Sequence, residues 1–200
     1  MSVWDAQDNV FIVNRNDMTD KEAEITQQAP PYIEFDPDGN VVNGFGDWKV
    51  VPNITPGCTI DYENNFWTTG NGDGIIQKYS HGGKLLMQIG QTGVVDTSDG
   101  TLKGRALNSS HTQFYMPSDI AVDPVNGDVY VADGYGNSRI AVFDRSGKFL
   151  RQWGTRGQKK RLMRVWVVRS CTLCTVWSSA TTTWSMSVTD RATGSKSSTR

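Results

Sequence analysis

The sequence predicts an all-β fold made of stacked copies of one four-strand unit. Three observations predict it. Residues 116–154 read MPSDIAVDPVNGDVYVADGYGNSRIAVFDRSGKFLRQWG, four short apolar runs separated by turn residues. The same order of runs recurs, more weakly, in 57–90 and 3–46. Within the runs apolar and polar residues alternate with a period of two, which turns one face of each strand to a core. A unit this small cannot bury its apolar face alone, so the copies must stack.

The strands follow in order. In the last copy, 120–122 is the first strand and stops at Asp123-Pro124. Asn126-Gly127 then marks a hairpin, because the pair adopts the left-handed backbone that a tight turn needs. Residues 129–133, 139–144 and 149–153 supply the other three strands, each rich in β-branched or aromatic side chains. In the middle copy the strands are 59–61, 65–69, 74–79 and 85–89, with the turn Ser80-His81-Gly82-Gly83-Lys84 before the last. The opening copy has 10–13, 32–36 and 41–45, and little chain remains before Asp5 for its first strand. Asp5, Asp61 and Asp123 each stand before a turn, where an Asp side chain bonds to the backbone ahead of it.

Charge divides the 200 residues unevenly. Up to Gln158 there are 12 Lys and Arg against 20 Asp and Glu, and from Lys159 onward 8 against 1. The repeat region is therefore acidic, which argues against nucleic acid as a partner. No run of about 20 apolar residues exists to span a membrane. The start, Met1-Ser2-Val3-Trp4-Asp5, lacks the basic segment and apolar core of a signal peptide. Three cysteines make no disulfide framework, and Cys58 reads as a small buried residue.

After Gly157 the grammar changes. Residues 159–200 hold eight Ser, eight Thr and three Trp but no Pro or Asn. This fits neither the repeat nor ordinary disorder, which is poor in aromatics. With suitable synonymous codons, a one-base shift re-reads part of 169–199 as NLVYVCDRPGDRIQVFD, close to the repeat at 129–144. The expectation is a slip of reading register between 154 and 159, leaving 158–200 disordered or poorly packed because it was not selected to fold. Cys171-Thr172-Leu173-Cys174 is a single C-x-x-C pair without a second pair or His ligands, weak grounds for zinc.

The blocks "IAVDPVNGDVYVAD", "NSRIAVFD" and "GKFLRQWG" resemble the NHL-repeat family of β-propellers, over about 3–154. The resemblance implies radial blades of four antiparallel strands around a channel, usually six. Here it implies a partial propeller over 1–157, about three blades (3–46, 57–90 and 116–154) with a long loop at 91–115. Intact relatives bind peptides, proteins or small ligands at the channel face. Three blades do not close a ring, so open seams predict self-association.

Within the propellers, the order of blocks and "ADGYGNSRI" look most like the peptidyl-amidoglycolate lyases. These cleave a peptidyl α-hydroxyglycine to a peptide amide and glyoxylate, around a channel holding zinc and calcium. The resemblance implies catalytic roles for Tyr135, in the "ADGY" block, and for Arg15, after the strand at 10–13. It implies no metal ligand in this chain, because Pro56 stands where the lyases carry one zinc His, and the other two family histidines would fall in the blade seen only in the shifted frame and further on. A binding scaffold without its own catalysis is thus the first expectation, and a lyase the alternative. Simpler roles stand beside these. Tyr135 can cap the seam between blades, Arg15 can pair with Asp17 or Asp20, and Asp133 can bridge to Arg139 across a turn. His81 and His111 read as exposed turn residues, and Asn71-Gly72-Asp73-Gly74 as a tight turn without the spaced acids of a calcium loop. The polar, Gly-rich stretch 91–115 is a candidate ligand loop. Asn53 and Asn108 head glycosylation sequons.

Overall fold

The computed structural model describes residues 1–15, 17–96 and 108–154. The predicted slip of register and the C-x-x-C pair lie outside these residues, as does the middle of the candidate ligand loop. The described chain forms three four-stranded antiparallel sheets. The first contains β1 (Ser2–Trp4), β2 (Val10–Val13), β3 (Tyr32–Phe35) and β4 (Val41–Phe45). The second contains β5 (Cys58–Ile60), β6 (Phe66–Gly70), β7 (Ile75–Tyr79) and β8 (Leu85–Ile89). The third contains β9 (Asp119–Val122), β10 (Val129–Asp133), β11 (Arg139–Phe143) and β12 (Phe149–Trp153). In each sheet the strands pair in chain order. A one-turn helix, α1 (Asp20–Ala23), lies between β2 and β3. Thr19 and Glu22 close it with a reciprocal capping box.

The three sheets share their local devices. The Asp before each first turn works as the sequence implies: Asp5 Oδ1 accepts from the Gln7 and Asn9 N–H groups, and Asp61 Oδ1 from those of Glu63 and Asn65. Asp123 Oδ1 accepts from the Val125 N–H. Each third strand shifts register at its penultimate residue, at Glu34/Phe35, Lys78/Tyr79 and Val142/Phe143. Such a bulge increases the local twist and swings the outer strand away.

Residues from neighbouring sheets mix in each core, so the sheets stack face to face. Phe11, Tyr32, Phe45, Val51, Phe66 and Tyr79 form the seam between the first two sheets. Phe11 stacks on Phe66 with ring centroids 5.6 Å apart, and Tyr32 lies 4.8 Å from Phe66. The seam between the second and third sheets contains Trp67, Ile76, Phe114, Ile120, Val131 and Phe143. Alternation in β6 explains the split: Phe66 points to one seam and Trp67 to the other. Every β6 residue is buried, as a strand covered on both faces requires. The first strands lie side by side, β1 against β5 and β5 against β9, while β4 and β12 are mostly exposed.

The hairpin between the third and fourth strands of a sheet leans on the sheet before it. Gly83, at φ +87°, sits so close to Phe45 that a Cβ would fall 2.3 Å from the Phe45 Cβ. Gly147, at φ +84°, sits in the same way beside Met87 and Ile89. Glycine is required at both turns by the left-handed backbone, and at Gly83 also by the lack of space.

Candidate functional site on the loop rim

Antiparallel pairing in chain order sends the connections to two opposite rims. The first and third turns of every sheet, with Asp5, His81 and Arg145, share one rim. The second turns and the inter-sheet connections share the other. The loop rim therefore gathers 14–15, 17–31, 71–74 and 134–138, together with 46–57 and the described parts of 90–118. Hydrogen bonds join these pieces: Asn53 N–H donates to Asp73 Oδ2 at 3.0 Å, and Asn71 Nδ2 to the Pro117 carbonyl at 3.3 Å.

A buried polar network anchors this rim at the third sheet. The expected Asp133–Arg139 bridge forms, with Nε to Oδ2 at 2.9 Å, and both side chains are almost fully buried. The guanidinium also donates to the Ser110 carbonyl, to Gln152 Oε1 at 2.6 Å and to the Gln113 carbonyl at 2.7 Å. Asn137 Nδ2 donates to Asp96 Oδ2 at 2.6 Å and to Asp133 Oδ2 at 2.7 Å. One Arg and one Asn thus tie both described arms of the 91–115 loop to the strand ends. Gly136 is essential to the fit, since a Cβ there would stand 1.9 Å from the Tyr115 ring. Gln113 was not marked by sequence reasoning, and Asp96 only as part of the polar candidate loop. Only the excess of polar residues in 91–115 hinted at them.

Burial lifts the Asp133 carboxyl to about 6, against the pull of Asn137, Arg139 and the Tyr115 N–H. The folded chain therefore keeps a proton there that the unfolded chain, at 3.8, releases. That contribution to stability is full below the unfolded value and is lost as pH rises through about 6. Carbon-13 NMR of the Asp133 carboxyl should show a midpoint near 6; a midpoint at or below 3.8 contradicts this.

Both residues singled out by resemblance lie on the loop rim and face solvent. Arg15 follows β2 and is exposed. Tyr135 lies in the turn between β10 and β11 and is 61% exposed. They belong to the first and third sheets, with the second between them. The same rim carries a cleft of about 290 Å³, lined by Trp48, Val51, Asn53, Asp73, Gln88 and Thr92. No sequence pattern marks it, because its walls come from three separate segments.

Among the described residues, the donors on this rim do not make up the zinc site that the resemblance to the lyases implies. Pro56, half-buried, has no side-chain donor atom to offer. Burial pushes the nearby Cys58 thiol up to about 12, which keeps it protonated and a poor ligand. His111 is exposed and stacks on Phe149, with ring centroids 4.1 Å apart. Asn71-Gly72-Asp73-Gly74 is a tight turn, closed by the Gly74 N–H on the Gly70 carbonyl at 2.9 Å. His81 differs from its expected solvent position. It lies on the opposite rim, half-buried, with Nε2 3.2 Å from Glu34 Oε1 and its ring against Phe11.

Comparison with known proteins agrees with this architecture. The NHL repeat profile matches residues 114–143, which include β9, β10 and β11. Peptidyl-glycine alpha-amidating monooxygenase B of Xenopus laevis is 37% identical over 100 residues, 49% of this chain and 10% of that protein. A probable peptidyl-alpha-hydroxyglycine alpha-amidating lyase of Caenorhabditis elegans is 33% identical over 97 residues, 48% of this chain and 24% of that protein. The chain thus spans a quarter or less of the length of these relatives. Virginiamycin B lyase of Staphylococcus aureus superposes with a TM-score of 0.51 at 10% identity, over 78% of this chain and 41% of that one, a likeness of fold. The chain is an all-β, propeller-like protein that carries an NHL repeat and is related in sequence to the peptide-amidating lyases.

Proposed function

We propose that the chain is a binding scaffold whose loop rim takes the carboxyl-terminal end of a peptide. One observation carries this reading. Arg15 and Tyr135 both stand solvent-exposed on the loop rim, and the Tyr135 turn is held from below by the Arg139 network. A guanidinium grips a terminal carboxylate with two parallel hydrogen bonds. A phenol offers both a donor and an acceptor to the adjoining backbone. The cleft beside Trp48, lined by both apolar and polar groups, would take the preceding side chain.

A second reading, lyase activity, is favoured by the sequence likeness to the amidating lyases. In that reaction the hydroxyl of the α-hydroxyglycine loses its proton, the Cα–N bond breaks and the leaving nitrogen is protonated, giving amide and glyoxylate. Arg15 would hold the carboxylate, and Tyr135 would relay the proton, its phenol hydrogen passing to the leaving nitrogen as its oxygen takes the proton of the hydroxyl. Pro56 leaves this chain without a metal ligand at the corresponding position, so binding without turnover is the expected state.

Fluorescence polarisation with a labelled peptide ending in glycine tests the first reading. Binding should weaken at least about tenfold in Arg15→Ala, the loss of one charge-assisted pair. Equal binding to a peptide with an amidated end, or none at all, overturns it. Release of glyoxylate from a peptidyl α-hydroxyglycine, lost in Tyr135→Phe, moves the assignment to the lyase.

A further inference from the structure

The two seams of the stack place different charges at the same position of the repeat. Asp5 and Asp61 open equivalent turns, with their N–H groups bonded to the Asn9 and Asn65 carbonyls. Glu34 and Lys78 both stand immediately before the register shift of the third strand. His81 and Arg145 are both the second residue of the hairpin that leans on the preceding sheet.

In the seam between the second and third sheets these positions neutralise one another. Lys78 Nζ lies 3.1 Å from Asp61 and 3.3 Å from Glu63, and Arg145 lies 3.7 Å from Glu63. In the seam between the first and second sheets, Glu34 replaces the lysine. Two carboxylates, Asp5 at 8% and Glu34 at 1% exposure, then meet with a single imidazole. Asn9 Nδ2 bridges them, at 3.2 Å from Asp5 and 2.8 Å from Glu34, but brings no charge. Buried carboxylates without a fixed cation are costly.

We propose that Asp5, Glu34 and His81 bind one divalent transition-metal ion, which takes the place that the Lys78 ammonium holds in the next seam. Their ligand atoms all lie within 4.8 Å of one another. Metal–ligand bonds of about 2.0–2.2 Å put such atoms about 3–4 Å apart, so the side chains close by about an ångström on loading. Two oxygens and one imidazole nitrogen suit zinc or manganese; the imidazole argues against calcium or magnesium. The outer partner is also present. Asn64 Nδ2 lies 3.2 Å from His81 Nδ1 and 3.0 Å from Gln7 Oε1, and Asn64 Oδ1 is buried without a partner. With the Asn64 and Gln7 amides turned over, Oδ1 accepts from His81 Nδ1–H and leaves Nε2 free for the ion. The site is on the rim opposite Arg15 and Tyr135, so its role is to clamp the first sheet to the second.

Equilibrium dialysis against zinc tests this in the full chain carrying Cys171→Ser and Cys174→Ser, so that thiolate capture by that pair is not scored. One equivalent of zinc should bind and raise the melting temperature. Binding should fall at least about tenfold in His81→Ala, the low end for disturbing even an outer partner of a metal ligand. Glu34→Lys copies the neighbouring seam. It should abolish the zinc-dependent rise while leaving the metal-free melting temperature equal to the parent's or higher. Absence of bound zinc in the parent overturns the site, as does undiminished binding in Glu34→Lys or His81→Ala.

Discussion

Replacing Arg139 with Leu should destabilise the chain by about 3–5 kcal/mol, the cost of breaking a buried ion pair from one side. The guanidinium is almost fully buried and bridges Asp133, Gln152 and two loop carbonyls. Its loss leaves the carboxylates of Asp96 and Asp133 beneath the loop with only neutral donors. The described arms of 91–115 then lose their anchor, and with them the seat of Phe114 in the core. Urea unfolding followed by circular dichroism measures this. Arg139→Lys should be intermediate, since an ammonium cannot fork to four acceptors. A loss below about 1 kcal/mol for Arg139→Leu would show that the network is not a support.

Phe66→Ala should cost a similar amount, about 3–5 kcal/mol, by opening a cavity in the other seam. Phe66 is fully buried, with Phe11, Tyr32 and Phe45 rings all within 5.9 Å. Phe66→Leu should cost much less, because it keeps most of the volume. The two sites belong to different seams and share no partner. Their effects should therefore add within about 0.5 kcal/mol in the double variant if the stack unfolds as one unit. Two separate transitions instead would mean that each seam melts alone, as a chain of nearest-neighbour units can.

What could be read from the residues was mostly local. β10, β12, β8, β2 and β4 match the predicted strands, because alternation and turn chemistry are short-range properties. Neighbouring boundaries move by one residue where the flanking Asp or Gly can serve either strand or turn. The one-turn helix was legible but not read: Thr19-Asp20-Lys21-Glu22 is a capping box, yet no apolar stripe follows to mark a helix. Two further features depend on distance in space. Phe114 lies in a polar loop, and its burial depends on Arg139 and Asn137 tying that loop to distant strand ends. His81 looks like a turn residue because the turn is local, while its partner Glu34 is 47 positions away and across a seam.

The hairpins carrying Gly83 and Gly147 each grip the sheet made just before them. A ribosome delivers the chain in that same direction, so every new sheet emerges with its docking surface already waiting. Assembly can then proceed as a ratchet from the amino terminus. A circular permutant that synthesised the second sheet ahead of the first would leave the Gly83 hairpin without a seat until translation ended, and should refold well yet mature slowly during synthesis.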